Sequence, residues 1–120
     1  MDQITLLKKE SSQVVPQEWG ELTWFASGPQ GNSTEMTLGR CILRPGQKNP
    51  RHLHPNCSEI LHVIQGRILH TYQDGKEVEM KVGDTITIPA NIWHQAKNIG
   101  IDDAVLMIVF SSAERQTRGE

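Results

Sequence analysis

The amino-acid sequence predicts an all-β domain with a sandwich or barrel architecture. Short stretches rich in β-branched and apolar residues recur along the chain, and Gly, Pro, Asn and Asp residues separate them. No stretch carries the 3.6-residue periodicity of an amphipathic helix over three turns. The 120 residues, of which 37% are hydrophobic, suffice for one packed core and are too few for two ordinary domains.

Seven strands are expected from the sequence, and each ends at a turn or a loop. They lie at residues 21–26, 37–43, 59–64, 67–72, 77–82, 85–88 and 104–110. Asp74 and Gly75 form the centre of the hairpin turn after the fourth strand, because this pair favours a tight two-residue turn. Residues 11–19 allow a short helix, although their helical pattern is weak.

Charge and composition argue against two classes of partner. A net charge of −2 and a pI near 6.2 give no basic surface for nucleic acid or an anionic membrane. The longest apolar run, residues 104–110, is far shorter than the roughly 20 residues of a membrane span.

The N-terminus lacks a signal-peptide pattern, and the two cysteines, Cys41 and Cys57, are interpreted as reduced thiols. We therefore expect a soluble, cytoplasmic protein with no nucleic-acid or membrane partner.

Four residues with metal-binding side chains stand where turns could bring them together. His52 and His54 are two residues apart, so both imidazoles face the same side of an extended segment. Glu59 follows a turn-like stretch, and His94 follows a second apparent turn forty residues after His54. Three imidazoles and one carboxylate suit one divalent transition metal ion, such as iron, manganese, nickel, copper or zinc. Calcium and magnesium prefer oxygen ligands and are not expected.

Two segments around these residues resemble the two sequence motifs of the cupin superfamily. The first contains Gly46, five residues, His52-Leu53-His54, four residues, Glu59, six residues and Gly66, and it matches the first motif at every fixed position. The second contains Gly83, five residues, Pro89-Ala90-Asn91-Ile92-Trp93-His94, three residues and Asn98. It departs from the family pattern at one position, where Asn91 replaces the usual Gly. Asn is the residue that best replaces Gly at a positive φ, so we expect the turn to be kept.

The resemblance to small, single-domain, RmlC-like cupins implies a jelly-roll-like, double-stranded β-barrel that holds a metal ion inside and is often a homodimer. It implies that the metal ligands are His52, His54, Glu59 and His94, and that Asn98 serves the fold of its strand. The implied division is an N-terminal arm contributing strands (1–35), the cupin barrel (36–112) and a polar tail able to fray (113–120).

His70 and Tyr72 are further candidates for the pocket. They share a strand face with Ile68 that should point into the barrel. They are interpreted either as substrate-pocket residues, with an acid–base role near the metal, or as hydrogen-bonded core residues, and the second interpretation is favoured. Glu59 could likewise move a proton while it binds the ion.

Other residues near the motifs receive simpler roles. Lys48 and Arg51 flank the expected barrel mouth and could hold an anionic substrate, although solvated charges are the default interpretation. His62 lies on the strand face opposite the barrel interior, at the surface or at a dimer contact. Trp93 is expected to pack rather than to line the pocket.

Two functions from different classes follow from this site. The first is a metal-dependent enzyme acting on a small organic molecule, as a dioxygenase or as an isomerase, lyase or decarboxylase. The second is a non-catalytic module that senses a metabolite or a metal. A storage barrel is the weakest option, because it needs no intact ligand set. An oxalate-type activity would need a second carboxylate near the metal, for which the sequence offers no obvious candidate.

Overall fold

Two antiparallel β-sheets form the domain. The computed structural model describes residues 3–120, in which a short 3₁₀ helix (Lys9–Ser11) precedes eleven strands. In chain order the strands are β1 (Gln13–Gln17), β2 (Gly20–Ala26), β3 (Thr37–Leu43), β4 (His52–Leu53), β5 (Glu59–Gln65), β6 (Arg67–Tyr72), β7 (Lys76–Lys81), β8 (Thr85–Ile88), β9 (His94–Asn98), β10 (Ala104–Phe110) and β11 (Arg118–Gly119). Within these residues no helix is both long and apolar enough to cross a membrane. The all-β class predicted from the sequence is confirmed.

The larger sheet contains six strands in the order β1-β2-β3-β10-β5-β8. Strands β1 and β2 come from the segment predicted as the N-terminal arm, and they extend this sheet beyond β3. In β3 and β10 every second residue is buried, because one face of each strand lies against the core.

The smaller sheet contains five strands in the order β11-β4-β9-β6-β7. Non-consecutive strands are neighbours in both sheets, as in a jelly roll. His94, the first residue of β9, lies opposite His52 of β4 on one side and opposite Tyr72 of β6 on the other. This register brings residues from both predicted motifs into the same part of the sheet.

The core lies between the two sheets. Leu61, Val63 and Leu106 come from the larger sheet and Ile68 and Ala96 from the smaller one, and all five are buried in one cluster. Removal of such side chains from water is the dominant favourable contribution to folding.

The short helix allowed for residues 11–19 is wrong, because strand β1 occupies this segment. Val14 and Val15 are β-branched, which favours a strand, and Pro16 lacks the backbone N–H donor that a helix interior requires. Pro16 is tolerated because β1 lies at the edge of the larger sheet.

The polar tail of residues 113–120 contributes a short strand to the smaller sheet. Strand β11 pairs with β4 and places Arg118 opposite Leu53 and Gly119 opposite His52. The tail is therefore held against β4, the strand that contains His52.

Two asparagines of the second motif have the structural roles predicted for them. Asn91 has a φ of 65°, the left-handed conformation for which Gly is the usual residue. Asn98 is 1% exposed, and its Nδ2 donates hydrogen bonds of 2.8 Å to the carbonyls of Leu43 and Asp102. Its Oδ1 accepts a hydrogen bond of 2.8 Å from the Gly100 amide. Asn98 thus joins its own strand to the end of β3 and to the loop that precedes β10.

Replacing Asn98 by Ala should lower the free energy of unfolding by about 2–4 kcal/mol, because buried backbone groups lose their partners. Chemical denaturation followed by circular dichroism measures this loss. The control is Lys97→Ala at an exposed neighbouring position, which should change stability by less than about 0.5 kcal/mol. An equal loss in both variants would contradict the role assigned to Asn98.

Candidate metal centre

Four side chains from separate segments converge inside the domain. One ligand atom from each of His52, His54, Glu59 and His94 lies within 4.8 Å of the others. The side chains of His54, Glu59 and His94 are buried, and His52 is half-buried. The structure therefore brings together all four residues predicted as metal ligands.

Strand register and turns position these residues. His52 begins β4 and faces His94, its partner in β9. The backbone amide of Asn91 donates a hydrogen bond of 3.0 Å to the carbonyl of His54. This bond joins the turn before β9 to His54, the second histidine of the first motif. Glu59 is the first residue of β5 and brings its carboxylate to the same point.

The ligand atoms have the surroundings of a metal site. His54 Nε2, Glu59 Oε1 and His94 Nε2 are buried and have no hydrogen-bond partner among the described residues. The two Nε2 atoms lie 3.3 and 3.5 Å from Glu59 Oε1. Two ligands about 2.1 Å from one ion and at right angles would be about 3 Å apart, so this spacing is suitable for a shared ion. Because unpaired buried polar atoms oppose folding, the four residues fit a divalent metal ion.

His52 and His54 each hold their second ring nitrogen against a carbonyl. His52 Nδ1 lies 2.7 Å from the Pro50 carbonyl oxygen, and His54 Nδ1 lies 2.9 Å from that of Gln116. Because a carbonyl oxygen only accepts, each Nδ1 carries the proton of the neutral ring and Nε2 keeps its lone pair. Such hydrogen bonds orient imidazoles that bind metals.

Burial keeps two of these imidazoles neutral. It is the largest cause that lowers the pKa of His94 to about 2, and the neighbouring His52 and His70 add to the effect. Burial also lowers the pKa of His52, although the hydrogen bond to Pro50 opposes the shift. Since neutral imidazole is the form that binds a metal, these residues need not lose a proton on binding at neutral pH.

The C-terminal tail supports His54 from outside the two motifs. The Gln116 carbonyl that His54 contacts lies 62 residues after His54 in the sequence. Asn56 fixes this part of the tail, because its Nδ2 donates to the Glu114 carbonyl over 2.8 Å and its Oδ1 accepts from the Gln116 amide over 2.9 Å. The Thr117 hydroxyl lies 3.2 Å from His54 Nδ1. The orientation of the His54 ring thus depends on the tail.

A cavity of about 260 Å³ adjoins the four residues. Ligand cavities commonly measure about 300–1,000 Å³, so this one suits a small molecule. Its apolar walls include Trp24, Leu61, Leu106 and Phe110. Among the described residues that line it, Glu59 is the only carboxylate.

His70 lines this cavity, whereas Tyr72 is half-buried at the end of β6 and lies outside the lining. Both ring nitrogens of His70 are buried without a hydrogen-bond partner among the described residues. The ring stacks on that of His94, with centroids 5.3 Å apart and planes at 10°. Burial lowers the pKa of His70 to about 4. His70 is therefore a buried residue as the sequence favoured, but its ring nitrogens lack the hydrogen bonds expected for it.

The two cations expected at the barrel mouth do not line the cavity. Arg51 donates a hydrogen bond of 3.0 Å to the Gln73 carbonyl and lies 3.4 Å from the Glu120 carboxylate. Its guanidinium also packs over Trp93, 5.8 Å from the ring centroid, and Lys48 is exposed. Trp93 thus has the packing role predicted for it.

Sequence reasoning missed the contribution of the tail. Arg115 and Thr117 line the cavity, and Gln116 supports His54. These residues lie outside both motifs, and their polar composition indicated only exposure. No local pattern marks them, because their position depends on the long-range pairing of β11 with β4.

Replacing Asn56 by Ala should lower metal affinity about tenfold, because the carbonyl that orients His54 loses its support. Competition with a chromogenic chelator measures this change. Gln116→Ala is the matched control, since it removes an exposed side chain and keeps the backbone carbonyl. Unchanged affinity in the Asn56 variant would show that the tail does not orient the ligand.

The metal-free protein should lose stability as the pH falls from about 6.5, the ordinary imidazole pKa, to the pKa of about 4 for His70. In this window the unfolded chain binds a proton that the folded protein does not, so the free energy of unfolding decreases. Thermal unfolding at a series of pH values measures the trend. His70→Gln should reduce the slope without abolishing it, because His52 and His94 also have lowered pKa values. An identical slope in both proteins would exclude His70 as a source.

Comparison with known proteins relates this site to a family. The sequence profile of the cupin domain matches residues 39–110, which is more than half of the chain. Germin-like protein 3-8 of Oryza sativa subsp. japonica is 34% identical over 88 residues, covering 70% of this chain and 39% of that protein. Oxalate oxidase 1 of Hordeum vulgare is 31% identical over 94 residues, covering 72% of this chain and 47% of that protein. The chain therefore spans less than half the length of these curated relatives.

Solved structures share the fold. A mutant of the oxalate decarboxylase of Bacillus subtilis superposes with a TM-score of 0.81 at 22% identity, over 89% of this chain and 29% of that one. At this identity the similarity shows the fold alone. The match of the family profile, together with the two-sheet fold and the converging histidines and glutamate, shows that the chain belongs to the cupin domain family.

Proposed function

We propose that this chain is a metal-dependent enzyme that acts on a small organic molecule at the centre formed by His52, His54, Glu59 and His94. The observation that carries the proposal is the convergence of these ligand atoms, three of which are buried without a hydrogen-bond partner among the described residues. The adjoining cavity is lined by the same four residues and offers space for a substrate beside them.

The donor set favours one divalent transition metal ion, namely iron, manganese, nickel, zinc or copper, over calcium or magnesium. Such an ion supplies a Lewis acid, or with iron or copper a redox centre, beside the substrate. The protein holds the imidazole tautomers through the carbonyls of Pro50 and Gln116. Apolar walls that include Trp24 and Phe110 limit the water around the reacting molecule.

His70 and Glu59 are the groups proposed to act on the substrate. The neutral imidazole of His70 can donate or accept one hydrogen bond at the cavity wall, and so orient a substrate oxygen. Glu59 can bind the ion through one carboxylate oxygen and hold a proton on the other. These roles suit a dioxygenase or an isomerase, lyase or decarboxylase. Tyr72, half-buried and outside the cavity lining, is left out of the proposed machinery.

The similar proteins support an enzyme that acts on small molecules, since they include an oxalate oxidase and an oxalate decarboxylase. The cavity does not favour oxalate itself as the substrate. Glu59 is the only carboxylate among the described residues of the cavity, and the walls are largely apolar.

A cytoplasmic homodimer is part of the same proposal. Cys41 and Cys57 are free and buried, and burial raises the pKa of both thiols, which suits a reducing compartment. Ile60 and Ile64 are 44% and 49% exposed on the outer face of β5, and they offer apolar surface for a second copy.

His52→Ala and His94→Ala should each lower the bound metal well below the level in the unaltered protein, because each removes one of four ligands. Elemental mass spectrometry of untagged protein, purified without chelators, measures the metal content. His62→Ala is the control, because His62 lies on the outer strand face and contacts the Thr85 hydroxyl over 2.7 Å. Equal occupancy in all four proteins would overturn the ligand assignment.

A substrate screen distinguishes catalysis from sensing. If the protein turns over a substrate and His94→Ala abolishes this turnover, the result supports an enzyme. Tight binding of a small molecule without turnover would instead identify a sensor.

A further inference from the structure

Arg115 is a cation at the cavity without an acidic partner. It lines the same cavity as the proposed metal ligands and is half-buried. No carboxylate of the described residues lies within 4 Å of its guanidinium. By contrast, Arg40, Arg51 and Arg67 are each paired with a glutamate.

Two aromatic rings hold the Arg115 guanidinium in place. Its Cζ lies 4.2 Å from the centroid of Trp24 and 5.2 Å from that of Phe110. One Nη1 hydrogen bond of 2.7 Å goes to the Thr117 hydroxyl. The remaining four N–H donors have no hydrogen-bond partner among the described residues. Aromatic packing thus fixes the planar group, and donor capacity is left for a ligand.

A guanidinium removed from water is stabilised by an anion, and its forked donors match a carboxylate through two parallel hydrogen bonds. Glu59 is near enough to interact electrostatically with Arg115, but it belongs to the proposed metal ligands. The anion that pairs with Arg115 must therefore come from outside this set.

The rest of the cavity indicates what else this ligand carries. Leu22, Leu61, Leu106 and Ile108 line it, and they offer contact to hydrocarbon rather than hydrogen bonds. A second anionic group would find no second arginine or lysine among the described lining residues.

We propose that Arg115 binds the carboxylate of a substrate that has a single negative charge and an apolar body, and thereby determines specificity for this class. The inference rests on the proposed function, because it assigns a substrate class to the same cavity. It makes the C-terminal tail part of the substrate site as well as a support for His54.

Isothermal titration calorimetry with benzoate tests the proposal on both metal-free and zinc-loaded protein. Benzoate should bind to the unaltered protein, and Arg115→Gln should weaken it about 10- to 100-fold, the loss expected for hydrogen bonds to a charged group. Arg115→Lys keeps the charge but loses the fork, and should give an intermediate affinity. Arg118→Gln, at an exposed position of the same tail, is the matched control and should leave the affinity unchanged.

Two further ligands test the charge and the apolar body. Benzamide has the shape of benzoate without the charge, so it should bind more weakly and be insensitive to Arg115→Gln. Oxalate has two charges and no apolar body, so it should bind more weakly than benzoate. Equal benzoate affinity in the unaltered and Arg115→Gln proteins, tighter binding of oxalate, or no binding of benzoate would each overturn the inference.

Metal content separates this inference from the proposed function. Arg115→Gln protein that keeps its metal and melting temperature but loses benzoate affinity supports the inference. If neither protein binds metal, the proposed function fails, while calorimetry on the metal-free protein still decides the role of Arg115.

Discussion

Burial of imidazole and carboxylate groups among apolar side chains is the constraint on which the rest of this structure depends. His54, Glu59 and His94 are at most 4% exposed, yet their ligand atoms have no hydrogen-bond partner among the described residues. In the absence of an ion this arrangement opposes folding, and a bound ion turns it into a stabilising one. The two sheets supply the apolar surroundings, and the pairing of β4 with β9 supplies the spacing. Fold stability and the proposed metal binding would therefore be coupled in this protein.

Two backbone carbonyls support the proposed ligands, and they lie at very different distances from them along the sequence. Pro50 is only two residues from His52, whereas Gln116 is 62 residues from His54. The local contact follows from the extended backbone of the first motif. The distant contact requires the tail to pair at the edge of the smaller sheet and to be held there by Asn56. The same placement brings Arg115 to the cavity, so one segment affects both the ligand geometry and the chemistry of the wall.

The sequence predicted those features that depend on local patterns. The strands at residues 37–43, 67–72, 85–88 and 104–110 have the predicted bounds, because alternation and turn residues mark them directly. The four proposed ligands could be found because their spacing forms two motifs. Strand β1 and the pairing of the tail were missed, because the pattern of residues 13–17 is weak and β11 pairs with the distant strand β4. The unpartnered nitrogens of His70 could not be predicted either, because hydrogen bonding in a core depends on what the other strands bring near it.

The contact between His54 and Gln116 also sets an order of events during synthesis. The ribosome produces the first three proposed ligands within residues 52–59, and the fourth follows at His94. The carbonyl that orients His54 emerges only after residue 116, when β11 can pair with β4. A nascent chain that has exposed all four side chains therefore still lacks the geometry of the finished centre. Retention of the proposed metal would therefore be a late property of the growing chain, because the support of His54 needs the C-terminal tail.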